Sequence, residues 1–287
     1  MDVVGQALIY YGGQSCYDAF ESAAGTIQTM IEDGVGSKNW KQLALDFHTC
    51  EPIETEQDMT VMLSDLMGNV QGTIQYNNEG STSMNAEAIC SKMTKITNDD
   101  NYYMEDTTPY IQFVKLSADY RVENGVECED ASWAATLEWL TPIEKDPNNV
   151  GRPWTYQTCN EFGYFQTTDS MHQPFHSWKS LNMNFYDDMC KAGFNFTVEP
   201  QVEFINQMYG DINIQGSNTA LVAGTIDPWH ALGVTNYTTS TLQESEVPVY
   251  ILGTAHCADM SAPSSSDPAP LVQAHEDITA QVEKWLQ

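Results

Sequence analysis

Two short blocks in the last quarter of the chain carry the residue types for acid–base chemistry. Thr225-Ile226-Asp227-Pro228-Trp229-His230 supplies a carboxylate, and Gly253-Thr254-Ala255-His256-Cys257 supplies an imidazole. A carboxylate that accepts an imidazole N–H holds the ring's tautomer and stabilises the imidazolium formed when the ring takes a proton. Each block follows an apolar run, residues 219–224 and 247–253, that reads as a buried parallel strand. An acid after one strand and a histidine after the next is the order Ser…Asp…His of an α/β-hydrolase triad. Pro228 confines Asp227 to extended backbone, which suits that role. The same Asp-Pro pair also suits a turn or a helix N-cap.

The nucleophile is not visible beside them. No G-x-S-x-G pentapeptide occurs in the sequence, although an elbow of that kind exposes the serine of such a triad. Gly13-Gln14-Ser15-Cys16-Tyr17 comes nearest, but it lacks the second glycine and no strand precedes it. Cys257 adjoins His256 in sequence, and neighbouring side chains usually point apart, so a free thiol is the simpler reading. His230 lies three residues beyond Asp227 and reads as a structural contact. His172 and His176 have metal-ligand spacing, but Pro174 breaks the helix that would align them, so no metal site is expected. His48 and His275 carry no signal.

The first 120 residues read as helices. Tyr17, Phe20, Ala24, Ile27 and Ile31 form a helical stripe that ends near Gly34. Ser37 can cap a helix carrying Trp40, Leu43 and Phe47. Thr55 and Asp58 resemble a capping box ahead of Met62, Leu63, Leu66 and Met67, with the methionines as core filler. Further helices are expected over residues 86–96 and after Pro109. Residues 154–158 look strand-like. Asp267-Pro268 offers an N-cap and first-turn proline for a terminal helix with Ile278, Val282, Trp285 and Leu286 on one face. Helices first and strand–loop–helix units later imply an α/β fold with a helical cap.

Composition limits the function classes. In 287 residues, 40 acidic side chains face 11 basic ones, a formal net charge of −29. Such a field repels phosphate backbones and argues against nucleic-acid binding. No apolar run is long enough to suggest a membrane span. The seven cysteines form no C-x-x-C pair. With the sequons at Asn195 and Asn236, they favour an oxidising, secretory or lysosomal route. Residues 1–5 lack the basic and apolar start of a signal peptide, so the natural N-terminus is expected to lie elsewhere.

Three separated motifs, Trp154-Thr155-Tyr156-Gln157-Thr158-Cys159-Asn160-Glu161-Phe162-Gly163, Asp227-Pro228-Trp229-His230 and Gly253-Thr254-Ala255-His256-Cys257-Ala258-Asp259-Met260, together resemble the lysosomal Pro-Xaa carboxypeptidase family of serine peptidases. The first motif and the histidine–cysteine pair look most like its thymus-specific branch. The resemblance covers nearly the whole chain. It implies the C-terminal part of an α/β-hydrolase fold, with a helical cap over residues 1–120 and the hydrolase part over 121–287. It implies Asp227 as triad acid and His256 as base, with the serine and the oxyanion-hole donors upstream, so that this chain alone would be inactive.

Disulfides Cys16–Cys90, Cys50–Cys128 and Cys159–Cys190 carry over from the family, leaving Cys257 free. In the dipeptidyl branch an aspartate after a cap cysteine holds the substrate ammonium, which places Asp130 in that role; an acidic solvated loop is the plainer alternative. Trp229 and Tyr164 match positions near the family's proline pocket, where flat rings suit a pyrrolidine, and both also suit packing. The expected partner is a peptide with proline near one end. No cofactor is implied, a homodimer is compatible, and the location is lysosomal or secreted. A non-catalytic acidic binding protein built on the same fold is the alternative function.

Overall fold

The structure is a computed structural model. It describes every residue except 80–82, 96–107, 145, 146, 148, 236 and 239–241, so the sequon at Asn236 lies outside the described residues. The chain divides into two compact units, Met1–Val70 with Ala86–Val202, and Gln71–Asn85 with Glu203–Gln287. The boundary expected after residue 120 would cut a continuous helix, Pro109–Asn124. Residues 121–202 group with the helical unit instead.

The first unit is helical: α1 (Asp2–Gly12), α2 (Gln14–Ile31), α3 (Lys38–Asp46), most of α4 (Glu56–Gln75), α5 (Ala86–Met93), α6 (Pro109–Asn124), α7 (Trp133–Leu140), α8 (Gly151–Gln157) and α9 (Met183–Phe194). The α2 stripe is real: Tyr17, Phe20, Ala24 and Ile27 are buried. Full burial of a side chain such as Phe20 contributes about 1.5–3 kcal/mol. It packs edge-on against Phe113, which in turn meets Phe47 and Phe175.

The caps expected at Ser37 and Thr55 form. The Ser37 hydroxyl accepts the Trp40 N–H at 3.2 Å. Thr55 and Asp58 exchange N–H bonds of 2.9 and 3.1 Å, completing a capping box with a shorter acid than usual. Pro109 opens α6, with Thr108 as its cap. Met59, Met62 and Met67 of α4 are core residues. Disulfides Cys16–Cys90, Cys50–Cys128 and Cys159–Cys190 tie this unit together, in the pairing that the resemblance implies.

The strand-like segment at 154–158 is instead helix, α8 running into a π turn over Thr158–Phe162. Tertiary contacts override its local preference. The Asn149 side chain caps the Arg152 N–H at 3.1 Å, Tyr156 packs on Phe194 and Phe196, and Cys159 is bonded to Cys190.

The second unit holds the end of α4, α10 (Val202–Tyr209, from Glu203 onward), β1 (Thr219–Gly224), β2 (Glu246–Ile251) and α11 (Ala269–Trp285). The strands are parallel, in register from Thr219↔Glu246 to Gly224↔Ile251. The buried Glu246 carboxylate accepts the Gly216 and Gln243 N–H groups, anchoring the entrance to both strands. β2 stops at Ile251, before the expected end at 253, because Gly253 turns the chain with φ +79°. Ile251, Leu271 and Ala274 form the core between the strands and α11.

The α11 face differs from expectation. Leu271 and Ala274 are its buried residues, while Val282 and Leu286 are exposed. Its cap differs too: Pro268 is the N-cap, and the Asp267 carboxylate instead accepts the Ser264 N–H at 2.8 Å. No helix among the described residues is long and apolar enough to cross a membrane.

Candidate active site

The ends of β1 and β2 lie side by side and extend their pairing into the loops that follow. The Thr225 N–H bonds the Ile251 carbonyl at 3.0 Å, and the Ile226 N–H bonds Thr254 at 2.9 Å. Gly224 makes this approach feasible, since a Cβ there would stand 2.4 Å from the Thr254 carbonyl oxygen and 2.6 Å from that of Ala255. The two loops therefore leave the sheet in contact, one carrying Asp227 and the other His256.

Asp227 is buried, with extended ψ of 117° as its following proline requires. Its Oδ1 accepts the Trp229 N–H at 2.9 Å, the cap of a 3₁₀ turn over Pro228–Leu232. Its Oδ2 lies 2.9 Å from His256 Nδ1. A carboxylate oxygen accepts, so Nδ1 carries the hydrogen, and in the neutral ring Nε2 keeps its lone pair. The His256 side chain is 30 % exposed, which leaves the ring within reach of a reactant. The turn and N-cap reading of Asp227 is borne out through its other oxygen.

The end of α4 completes the surroundings. The Gln75 carbonyl accepts the His256 N–H at 2.8 Å, and the Tyr76 ring stands edge-on to the imidazole with centroids 5.9 Å apart. Glu79 follows in the same turn. Its Oε1 is buried without a hydrogen-bond partner. Burial raises its carboxyl to about 7, His256 opposes that rise, and Asp227 and Asp259 add to it. The Cys257 thiol is exposed, yet desolvation and the carboxylates of Asp259, Asp227 and Glu79 push it up. That is the wrong direction for a thiolate nucleophile.

The remaining expected residues sort plainly. Trp229 sits in the second unit with Asp227 and His256; Asp130 and Tyr164 belong to the first. Asp130 is exposed and accepts the Ser132 N–H at 3.1 Å. Tyr164 stacks on Phe162 and Trp154. Ser15 is the second residue of α2, and its hydroxyl donates to Gly12 at 3.4 Å. His230 Nδ1 bonds the Asp227 main-chain carbonyl at 2.7 Å, and His176 pairs with Glu21 at 2.9 Å, both structural contacts.

Sequence reasoning missed Gln75, Tyr76 and Glu79, which end an ordinary helix and carry no motif. It also missed an acid pair in the first unit, the buried Glu129 and the half-buried Asp65. Glu129 accepts bonds from Asn69, Ser117 and Arg121. Burial, together with its hydrogen bond to Glu129 and the charges of Glu129 and Asp130, raises the Asp65 carboxyl to about 8.

A strand-end carboxylate and a strand-end histidine are thus joined through Nδ1 beside a parallel strand pair. Residues 1–278 match the family model for serine carboxypeptidase S28, and the chain belongs to that serine peptidase family, whose fold is of the α/β-hydrolase type. It is 26 % identical over 279 residues to the thymus-specific serine protease of Mus musculus, covering 96 % of this chain and 52 % of that protein. The Homo sapiens protein of the same name is 26 % identical over 292 residues, 99 % of this chain and 54 % of its own. The lysosomal Pro-X carboxypeptidase of Bos taurus is 24 % identical over 286 residues, 96 % and 52 % respectively. The chain spans about half the length of these curated relatives.

Proposed function

We propose that Asp227 and His256 are the orienting acid and the general base of a serine-type exopeptidase acting on peptides with proline near one end. The 2.9 Å bond between His256 Nδ1 and Asp227 Oδ2 carries the reading, because it leaves Nε2 as the proton acceptor. In this mechanism Nε2 takes the proton of a serine hydroxyl as it attacks the scissile carbonyl. The imidazolium then protonates the leaving amine, and water hydrolyses the acyl-enzyme by the same route. The 287 residues contain no G-x-S-x-G elbow, so the nucleophile is proposed to come from sequence outside them.

The first unit is proposed as the helical cap and the second as the C-terminal part of the hydrolase domain. Three residues are proposed, each by itself, as substrate-binding: Trp229, bonded to Asp227, as a flat ring for proline; Tyr164, within an aromatic stack, likewise; and Asp130, exposed in an acidic loop, as a partner for a substrate ammonium. Three disulfides and an exposed sequon at Asn195 support an oxidising, lysosomal or secreted setting.

Chromogenic Xaa-Pro peptides test this with two proteins, residues 1–287 and the same chain extended to include a serine elbow. Hydrolysis by the extended form alone is expected, since loss of a triad nucleophile removes about 10⁶ in turnover. Equal hydrolysis by both would place the nucleophile inside these residues. Silence of both would favour a binding protein.

A further inference from the structure

Four hydrogen bonds around the acid–base pair close into a ring. The Gln75 carbonyl accepts the His256 main-chain N–H at 2.8 Å. His256 Nδ1–H reaches Asp227 Oδ2 at 2.9 Å. Asp227 Oδ1 accepts the Trp229 main-chain N–H at 2.9 Å. The Trp229 indole Nε1–H then donates to Gln75 Oε1 at 2.9 Å. An indole only donates, which settles which end of the Gln75 amide faces it.

Gln75 therefore holds both loops from one place. Its main chain fixes the base-bearing loop, and its side chain fixes the residue whose amide holds the acid. As the last residue of α4, it anchors both loops to the end of a 20-residue helix. The groups around the imidazole are the Tyr76 ring and the carboxylates of Asp227 and Glu79, with Asp259 acting on Glu79. Of the residues in the ring, Gln75 alone makes two bonds without belonging to either loop.

From this closure we infer that Gln75 is a positioning residue, setting the Asp227 carboxylate against His256 through Trp229. The catalytic consequence rests on the function proposed above; the geometric claim does not. A hydrogen bond aligned by a rigid support loses occupancy when that support goes, and small displacements at such a site are costly to turnover.

The test reads the His256 Nδ1 proton by NMR in the ¹⁵N-histidine-labelled 287-residue chain. Gln75→Met keeps the side-chain length and removes the acceptor; Trp229→Phe removes the donor. Each is expected to speed exchange of that proton with water about five- to tenfold, the size of one lost hydrogen bond. The double variant should exchange no faster than either single one, because the ring is already open. Gln75→Glu, which retains an acceptor, should restore slow exchange.

Unchanged exchange in the single variants, with only the melting temperature lowered, would reduce Gln75 to a packing residue and overturn the inference. Should Gln75→Met fail to fold, Trp229→Phe decides alone. Faster exchange without peptide hydrolysis by any form would sink the proposed function and leave the positioning role standing. Hydrolysis with unaffected exchange would do the reverse.

Discussion

Carboxyl groups in both units are held well above their ordinary range, and this gives the protein a pH dependence of known sign. Asp65 stands at about 8 in the folded chain and Glu79 at about 7, each raised first by burial. Between the ordinary carboxyl range and those values, the folded state keeps a proton that the unfolded state has released. Stability contributed by these groups therefore falls as pH rises from about 4 to about 8. The urea midpoint of the wild type should drop between pH 5 and pH 8. Asp65→Asn, which preserves a neutral donor toward Glu129, should flatten that drop, and Glu79→Gln should flatten its part below pH 7. A steeper fall in the variants would contradict this assignment. The placement of Asp227 and His256 after neighbouring strands was legible in sequence, because an apolar run precedes each. Glu79 and Asp65 were not, since their significance arises from burial against residues distant in the chain.

At the level of elements, the approach of two loops after β1 and β2 depends on one missing methyl group. Gly224→Ala places a Cβ 2.4 Å from the Thr254 carbonyl oxygen, and main chain must move to relieve it. A loss of about 1–3 kcal/mol in urea denaturation is expected, the usual range for overpacking. The same shift should disturb His256 two residues beyond Thr254; unchanged stability would mean that the loops are not packed as described. Both strands, the caps at Ser37 and Thr55 and the helix start at Pro109 could be read from local pattern alone. The 154–158 segment could not, because its helix depends on Asn149, Phe194, Phe196 and Cys190. Nor could the link from Gln75 to Trp229, which joins residues 154 positions apart.

For the whole molecule, two compact units, three disulfides and a net charge of −29 describe an acidic peptidase-family chain that spans about half of its relatives. The helical character of the first 120 residues was legible in sequence, and the extent of the first unit was not. Its boundary follows long-range packing out to Val202, whereas residue 120 lies within α6. Self-repulsion in so acidic a chain is relieved by protonation, in the same direction as the Asp65 and Glu79 dependence. The acid–base pair is the central claim, and the kinetics of its two members test it most directly. In a form of the protein that hydrolyses Xaa-Pro chromogenic peptides, kcat should fall by about 10⁶ in His256→Ala and about 10⁴ in Asp227→Asn. Retention of turnover within tenfold of the wild type in either variant would contradict their assignment as base and acid.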